Sequence, residues 1–253
     1  MQISENQMQH LARVMFTRKL AGLGSRLKAV LRTLGLGIGL MLMMTGTSGA
    51  APVFKLKAPA EYFSDAKTLA LLNAALAGDL ARARQLVAEG ANPNDEGPKD
   101  NSYNRIRLLH YAIAANSGQA VRVLVAVGAD PEMDTLGGGG PAMLFAITLD
   151  KLDMLSLLLD LRPISILSRR TLEDLLFRSV ALPRPRCLEL RFTRGAPIDF
   201  PDQSGYTILM RAMDAQDYDL AEWILLQGAS VKIVAKGGMT PAYSVQYDLN
   251  KVQ

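Results

Sequence analysis

One phrase is written several times in this chain. The stretch LLNAALAGDLARARQLVAEGANPN (residues 71–94) has apolar residues at helical spacing, a break at Gly78-Asp79, a second helical run, and a stop at Gly90-Ala91-Asn92-Pro93. AIAANSGQAVRVLVAVGADPE (residues 112–132) and AMDAQDYDLAEWILLQGASVK (residues 212–232) repeat it. LELRFTRGAPID (residues 188–199) is a weaker copy and MLSLLLDLRPIS (residues 154–165) a degenerate one. Aligned on the residue that closes the second helix, the anchors are Gly90, Gly128, Arg162 (in the glycine's place), Gly195 and Gly228, spaced by 38, 34, 33 and 33 residues. Two short helices cannot bury their apolar faces alone, so units of this kind must stack on their neighbours to make a core. The period predicts an all-α repeat solenoid.

The other half of the unit keeps step with the first. GYTILMRA (residues 205–212) and GGMTPAYSV (residues 237–245) stand one period apart, and RLLHYA (residues 107–112) and GPAMLFA (residues 140–146) occupy the same slot. Thr240 suits a helix N-cap, and Pro241 suits the first helical turn, where no backbone N–H is needed. The closing glycines suit a left-handed C-cap that strains most other residues. These segments resemble the Gly-x-Thr-Pro-Leu-His-x-Ala element of the ankyrin-repeat family, over roughly residues 68–248. The resemblance implies an ankyrin array of about five to six helix-turn-helix-hairpin units. It also implies that His110, on the family's histidine position, ties down its turn by hydrogen bonds. The units centred on Arg162 and Gly195 depart from the pattern, which leaves their boundaries open.

The front of the chain reads differently. Arg13, Arg18, Lys19, Arg26, Lys28 and Arg32 lead into LGLGIGLMLMM (residues 34–44) and then TGTSGAAP. A basic region, a short apolar core and small residues in that order predict a secretory signal peptide over residues 1–50, cleaved after Ala50 or Ala51. The apolar core is too short to span a bilayer, which takes about 20 residues. Residues 51–67 then form an N-terminal lead-in and 68–253 the repeat domain. The leader also carries the charge. The chain has 28 basic and 24 acidic side chains, and six of the basic ones and Glu5 precede residue 51, which leaves 22 basic against 23 acidic. The basic pI therefore belongs to the leader, and no nucleic-acid partner is expected from it. The expected location is the periplasm, with no stable membrane anchor after cleavage.

Catalytic groups are scarce. The histidines are His10, in the leader, and His110, so a nucleophile–histidine site would have to use a residue that the resemblance makes structural. Cys187 is the one cysteine, which excludes an internal disulfide; it reads as a small buried apolar residue. No metal-ligand spacing occurs, and the Gly137–Gly140 run lacks the Gly-Lys-Ser/Thr of a phosphate loop. Asp214, Asp217, Asp219 and Glu222 cluster as a solvated helix face does. The expectation is no enzyme, no cofactor and no metal. Leu220, Trp223, Ile224, Val121, Leu124 and Val125 are expected to form the inner faces of second helices.

A protein partner would then touch the hairpins, here called fingers. The 38-residue first spacing lengthens the first finger, NDEGPKDNSYNRIR (residues 94–107), which is either solvated padding or a contact element. Its candidates are Tyr103, Arg105 and Arg107. Charge is also sorted along the chain. Residues 162–194 hold eight arginines against three acids, and residues 199–222 hold six acids against Arg211. These lobes either neutralise each other or meet a partner, and Arg184, Arg186, Asp217 and Asp219 are their candidates. Exported repeat proteins of this size resemble immunity proteins that neutralise secreted antibacterial effectors such as lipases, which makes a toxic enzyme one expected partner. A periplasmic stress or envelope-maintenance adaptor is the alternative, and a hydrolase with an unrecognised carboxylate pair is a third reading.

Overall fold

The computed structural model describes residues 56–98, 105–136, 139–178, 185–241 and 243. The leader, Tyr103 and Arg184 lie outside them. The chain divides into two compact units, one spanning Phe54–Phe200 and one that includes Pro201–Gln253. No helix among the described residues is long and apolar enough to cross a membrane.

The unit ending at Phe200 is built from helix pairs. After a short α1 (Pro59–Tyr62), α2 (Ala66–Leu76) pairs with α3 (Leu80–Ala88), and α4 (Leu108–Ala114) with α5 (Gly118–Ala126). Next, α6 (Ala142–Thr148) pairs with α7 (Leu152–Leu161). The fourth pair is irregular. It starts with α8 (Arg169–Glu173), passes into a π turn (Asp174–Arg178), and ends with α9 (Pro185–Thr193). The other unit contributes α10 (Ile208–Asp214) and α11 (Tyr218–Leu226).

Caps set where these helices start. Asp65 and Asp79 accept the backbone N–H of Thr68 and Arg82, each at 2.8 Å. Ser117, Thr207 and Asp217 do the same for α5, α10 and α11. Each bond satisfies a donor that the first helical turn leaves without a partner. The anchors Gly90, Gly128, Gly195 and Gly228 all have φ between +92° and +101°, the conformation expected of them. Arg162 does not follow: its φ is −137°, and α7 ends there without the left-handed turn. Inside the pairs a second left-handed position recurs at Gly78, Asn116, Asp150 and Gln216.

Between the helices of the larger unit runs one apolar cluster, from Phe63 to Ala196, that includes Leu71, Leu108, Leu124, Met143, Leu155 and Leu175. Cys187 is fully buried in it. Arg191, one turn further along α9, is also buried, and its guanidinium donates to the Leu175 carbonyl within the π turn. Trp223 departs from expectation: it is half-buried, because Ala221 and Ile224 define the inner face of α11. The array begins slightly earlier than residue 68, at α2, and part of the expected lead-in packs onto it. The Tyr111 hydroxyl donates to the Lys57 carbonyl at 2.9 Å, and the Tyr62 ring meets Tyr111 edge-on at 5.7 Å.

The regular helix pairs keep similar lengths while the connections between pairs do not. These connections run over residues 89–107, 127–141, 162–168 and 194–207. The third is too short for a finger and makes a single 3-10 turn, Ile164–Ile166.

Candidate functional site

The first finger ends in a two-stranded hairpin, β1 (Glu96–Gly97) antiparallel to β2 (Ile106–Arg107), with Glu96 opposite Arg107 and Gly97 opposite Ile106. The Arg107 guanidinium reaches across to the second finger and donates to the Asp134 carbonyl from Nε at 2.8 Å and from Nη2 at 2.6 Å. Its Nη1 donates to the Asn94 carbonyl at 2.5 Å, and Nη2 lies 3.7 Å from the Glu96 carboxylate. Glu96 in turn accepts the Leu136 N–H at 2.6 Å. Asn94 closes the set, donating to the Gly128 carbonyl at 2.9 Å and accepting the Asp130 N–H at 2.7 Å. Backbone groups that a free hairpin would leave to water are thus paired between fingers.

The base of the second finger is pinned from beneath. His110 donates from Nε2 to the Gly140 carbonyl at 2.9 Å, the role that its position implied. The ring is buried against Phe145, with centroids 5.0 Å apart, and its Nδ1 has no partner. Burial lowers its pKa to about 4, the Gly140 bond opposes that, and the nearby Arg107 charge adds to it. On its far flank the finger meets residues 162–170. Glu132 accepts from Arg162 at 3.1 Å and from the Ser168 N–H at 2.8 Å, and Asp134 pairs with Arg170. Burial pushes the Glu132 carboxyl up, but bonds from Ser168, Thr171 and Arg162 outweigh it and hold it below the usual carboxylate range.

The remaining sequence candidates divide plainly. Arg105 is half-buried, and Arg107 is committed to the clamp between fingers. Arg186 is exposed in the first turn of α9. In the unit of α10 and α11, Asp217 caps α11, accepting the Leu220 N–H at 3.1 Å, and Asp219 is exposed in its first turn. Most of the arginine-rich lobe is paired within its own unit: Arg162 with Glu132, Arg169 with Glu173, Arg170 with Asp134, Arg178 with Asp174 and Arg194 with Asp160. Asp202, from the acidic lobe, pairs with Arg211. Sequence reasoning missed the Glu96–Arg107–Asp134 clamp. The pattern offered only a charged residue at each end of a hairpin, with no sign that it would reach the next repeat. Among the described residues no group of three or more His, Cys, Asp or Glu side chains could hold a metal ion.

No family model and no curated protein matches the chain by sequence. Among solved structures, the ankyrin repeat domain of Bcl-3, a member of the IkappaB protein family, matches at 25% identity and a TM-score of 0.52, over 69% of this chain and 78% of that one. The fold is that of an ankyrin-repeat array. The array is also similar to the ankyrin repeat protein EF0377, at 22% identity and a TM-score of 0.49, over 73% of this chain and 94% of that one. A structure of a predatory endopeptidase from Bdellovibrio bacteriovorus in complex with an immunity protein matches at 20% identity and a TM-score of 0.44, over 72% of this chain and 93% of that one. In ankyrin terms, the first and second fingers and the shortened third connection form the candidate surface.

Proposed function

We propose that this ankyrin array is a non-catalytic, protein-binding module that acts after export to the periplasm. One observation carries the binding reading. The second finger has its base and both flanks fixed by Arg107, His110, Glu132 and Asp134, yet leaves Met133 and Leu136 exposed. A finger held this way loses little conformational freedom when a partner covers it, and that raises affinity. The basic, apolar, small-residue order of residues 1–50 supports export. Within this class we favour a neutraliser of a toxic secreted enzyme over an envelope adaptor.

Two measurements test the reading. Mass spectrometry of periplasmic protein is expected to find an N-terminus at Ala51 or Pro52; a product that keeps Met1, or one confined to the cytoplasm, rejects export. Cross-linking of the tagged full chain in cells is expected to trap one protein in stoichiometric amount. No trapped protein rejects the binding module. If the trapped protein is an enzyme whose toxicity this chain suppresses on co-expression, the neutraliser stands; a non-toxic envelope component makes the chain an adaptor.

A further inference from the structure

The 3-10 turn Ile164–Ile166 replaces a finger, so the far flank of the second finger faces the first turn of α8. Three ion pairs lie along this flank: Arg162–Glu132, Arg169–Glu173 and Arg170–Asp134. All three are arranged the same way in depth. The arginine side chains are 42, 57 and 75% exposed, while their carboxylate partners are 11, 17 and 34% exposed. Formal charge cancels within each pair, but the outer charge lies nearer to anything that approaches. At separations of a few ångströms the nearer charge dominates, so the face presents positive potential. The same two segments, residues 132–136 and 162–170, also carry exposed aliphatic side chains. Met133 sits between Glu132 and Asp134 in the chain, Leu136 is 75% exposed and Ile166 is 57% exposed.

We propose that the face made by residues 132–136 and 162–170 docks an acidic segment of a protein partner, one that also carries an aliphatic or aromatic anchor. The partner's carboxylates meet the outer edge of Arg170, and its anchor covers Leu136 and Ile166. A guanidinium carries five N–H donors, and a second carboxylate can share it without displacing the first. A nucleic-acid backbone would also meet the arginines, but it gains nothing from Leu136 and Ile166, which need an apolar surface over them. The proposal rests on the protein-binding reading and names the partner's chemistry.

A random-peptide display library, selected against the full chain, supplies the probe. Enriched peptides are expected to be rich in Asp and Glu and to contain Leu, Ile or Phe. Leu136→Ala, Ile166→Ala and Arg170→Ala are each expected to weaken the enriched peptides by about tenfold, as truncation of a contact anchor does. Leu136 and Ile166 are exposed and carry no charge, so their variants should keep the melting temperature. Arg170→Ala loses only a largely exposed ion pair and should shift it slightly, which keeps a folding defect separable from a binding defect. Peptides without acids, binding unmoved by these substitutions, or no enrichment would each overturn the face. So would competition by oligodeoxythymidine at equal affinity, which would make it a nucleic-acid surface. Any of these results leaves the binding module standing if cross-linking in cells still traps a protein.

Discussion

Arg107 grips the main-chain carbonyl of Asp134 with two N–H groups, at 2.8 and 2.6 Å, and so fastens the first finger to the second. The same guanidinium faces the Glu96 carboxylate, which is buried. Removing one member of such a pair strands the other without compensation. Arg107→Ala is therefore expected to destabilise the fold by about 3 kcal/mol. Arg107→Lys, which keeps the charge but loses the forked donation, should fall between. Urea denaturation of the three proteins checks the order, and equal stability of Arg107→Ala and wild type would reject the clamp.

Gly97 runs against the end of α1. A Cβ built there would overlap the Tyr62 carbonyl oxygen and crowd the Phe63 ring at 3.1 Å. The obstacle is backbone, which cannot rotate away as a side-chain tip can. Gly97→Ala is expected to cost more than about 2 kcal/mol, within the range for overpacked sites. Thermal melting reads the loss.

Gly228 isolates a different cost. Its φ is +94°, and a Cβ there would meet no atom within 4 Å. Only the backbone conformation stands against a side chain. Gly228→Val is expected to destabilise by about 1–2 kcal/mol, the strain of a β-branched residue at such a φ. No loss in a melting experiment would mean that the second helix of this repeat ends elsewhere.

The buried His110 makes stability depend on pH. Its folded pKa is about 4, against an ordinary 6.5, so the unfolded chain takes up the proton first as pH falls. The stability that it contributes is complete above pH 6.5 and is lost progressively down to about pH 4. Between pH 7 and 5 this amounts to about 2 kcal/mol. Glu132 and Asp202, whose carboxyls are held below their usual range, lose their share in more acidic solution. His110→Gln should flatten the slope between pH 7 and 5. An NMR titration should show the ring neutral throughout that range.

The spine was legible in the sequence and the fingers were not. Gly90, Gly128, Gly195 and Gly228 announced the period because one backbone conformation at each helix end admits few residues, so a physical need leaves a fixed letter. The left-handed turn inside each pair left no such letter. It is filled by Gly78, Asn116, Asp150 and Gln216; glycine, asparagine and aspartate all visit that conformation at little cost, so no single letter marks the position. The arginine-rich stretch was read as a lobe by net charge. Its pairing was hidden, since Glu132 and Asp134 lie about one repeat away in sequence from Arg162 and Arg170. Arg107 was singled out for exposure to a partner when its neighbours gave no hint of the Asp134 carbonyl.

The connections between helix pairs vary from residues 162–168 to residues 89–107, while the pairs other than α8–α9 change little. A gene with this layout can gain, lose or exchange a finger by a small insertion or deletion without moving a helix axis. Selection for folding then acts on the buried faces and helix ends, and selection for partner choice acts on the stretches between. Two descendants of such a gene can keep the same interior and share nothing in the fingers. Comparisons that weigh the whole chain evenly would understate that kinship, whereas an alignment restricted to residues 66–88, 108–126, 142–161 and 208–226 would recover it.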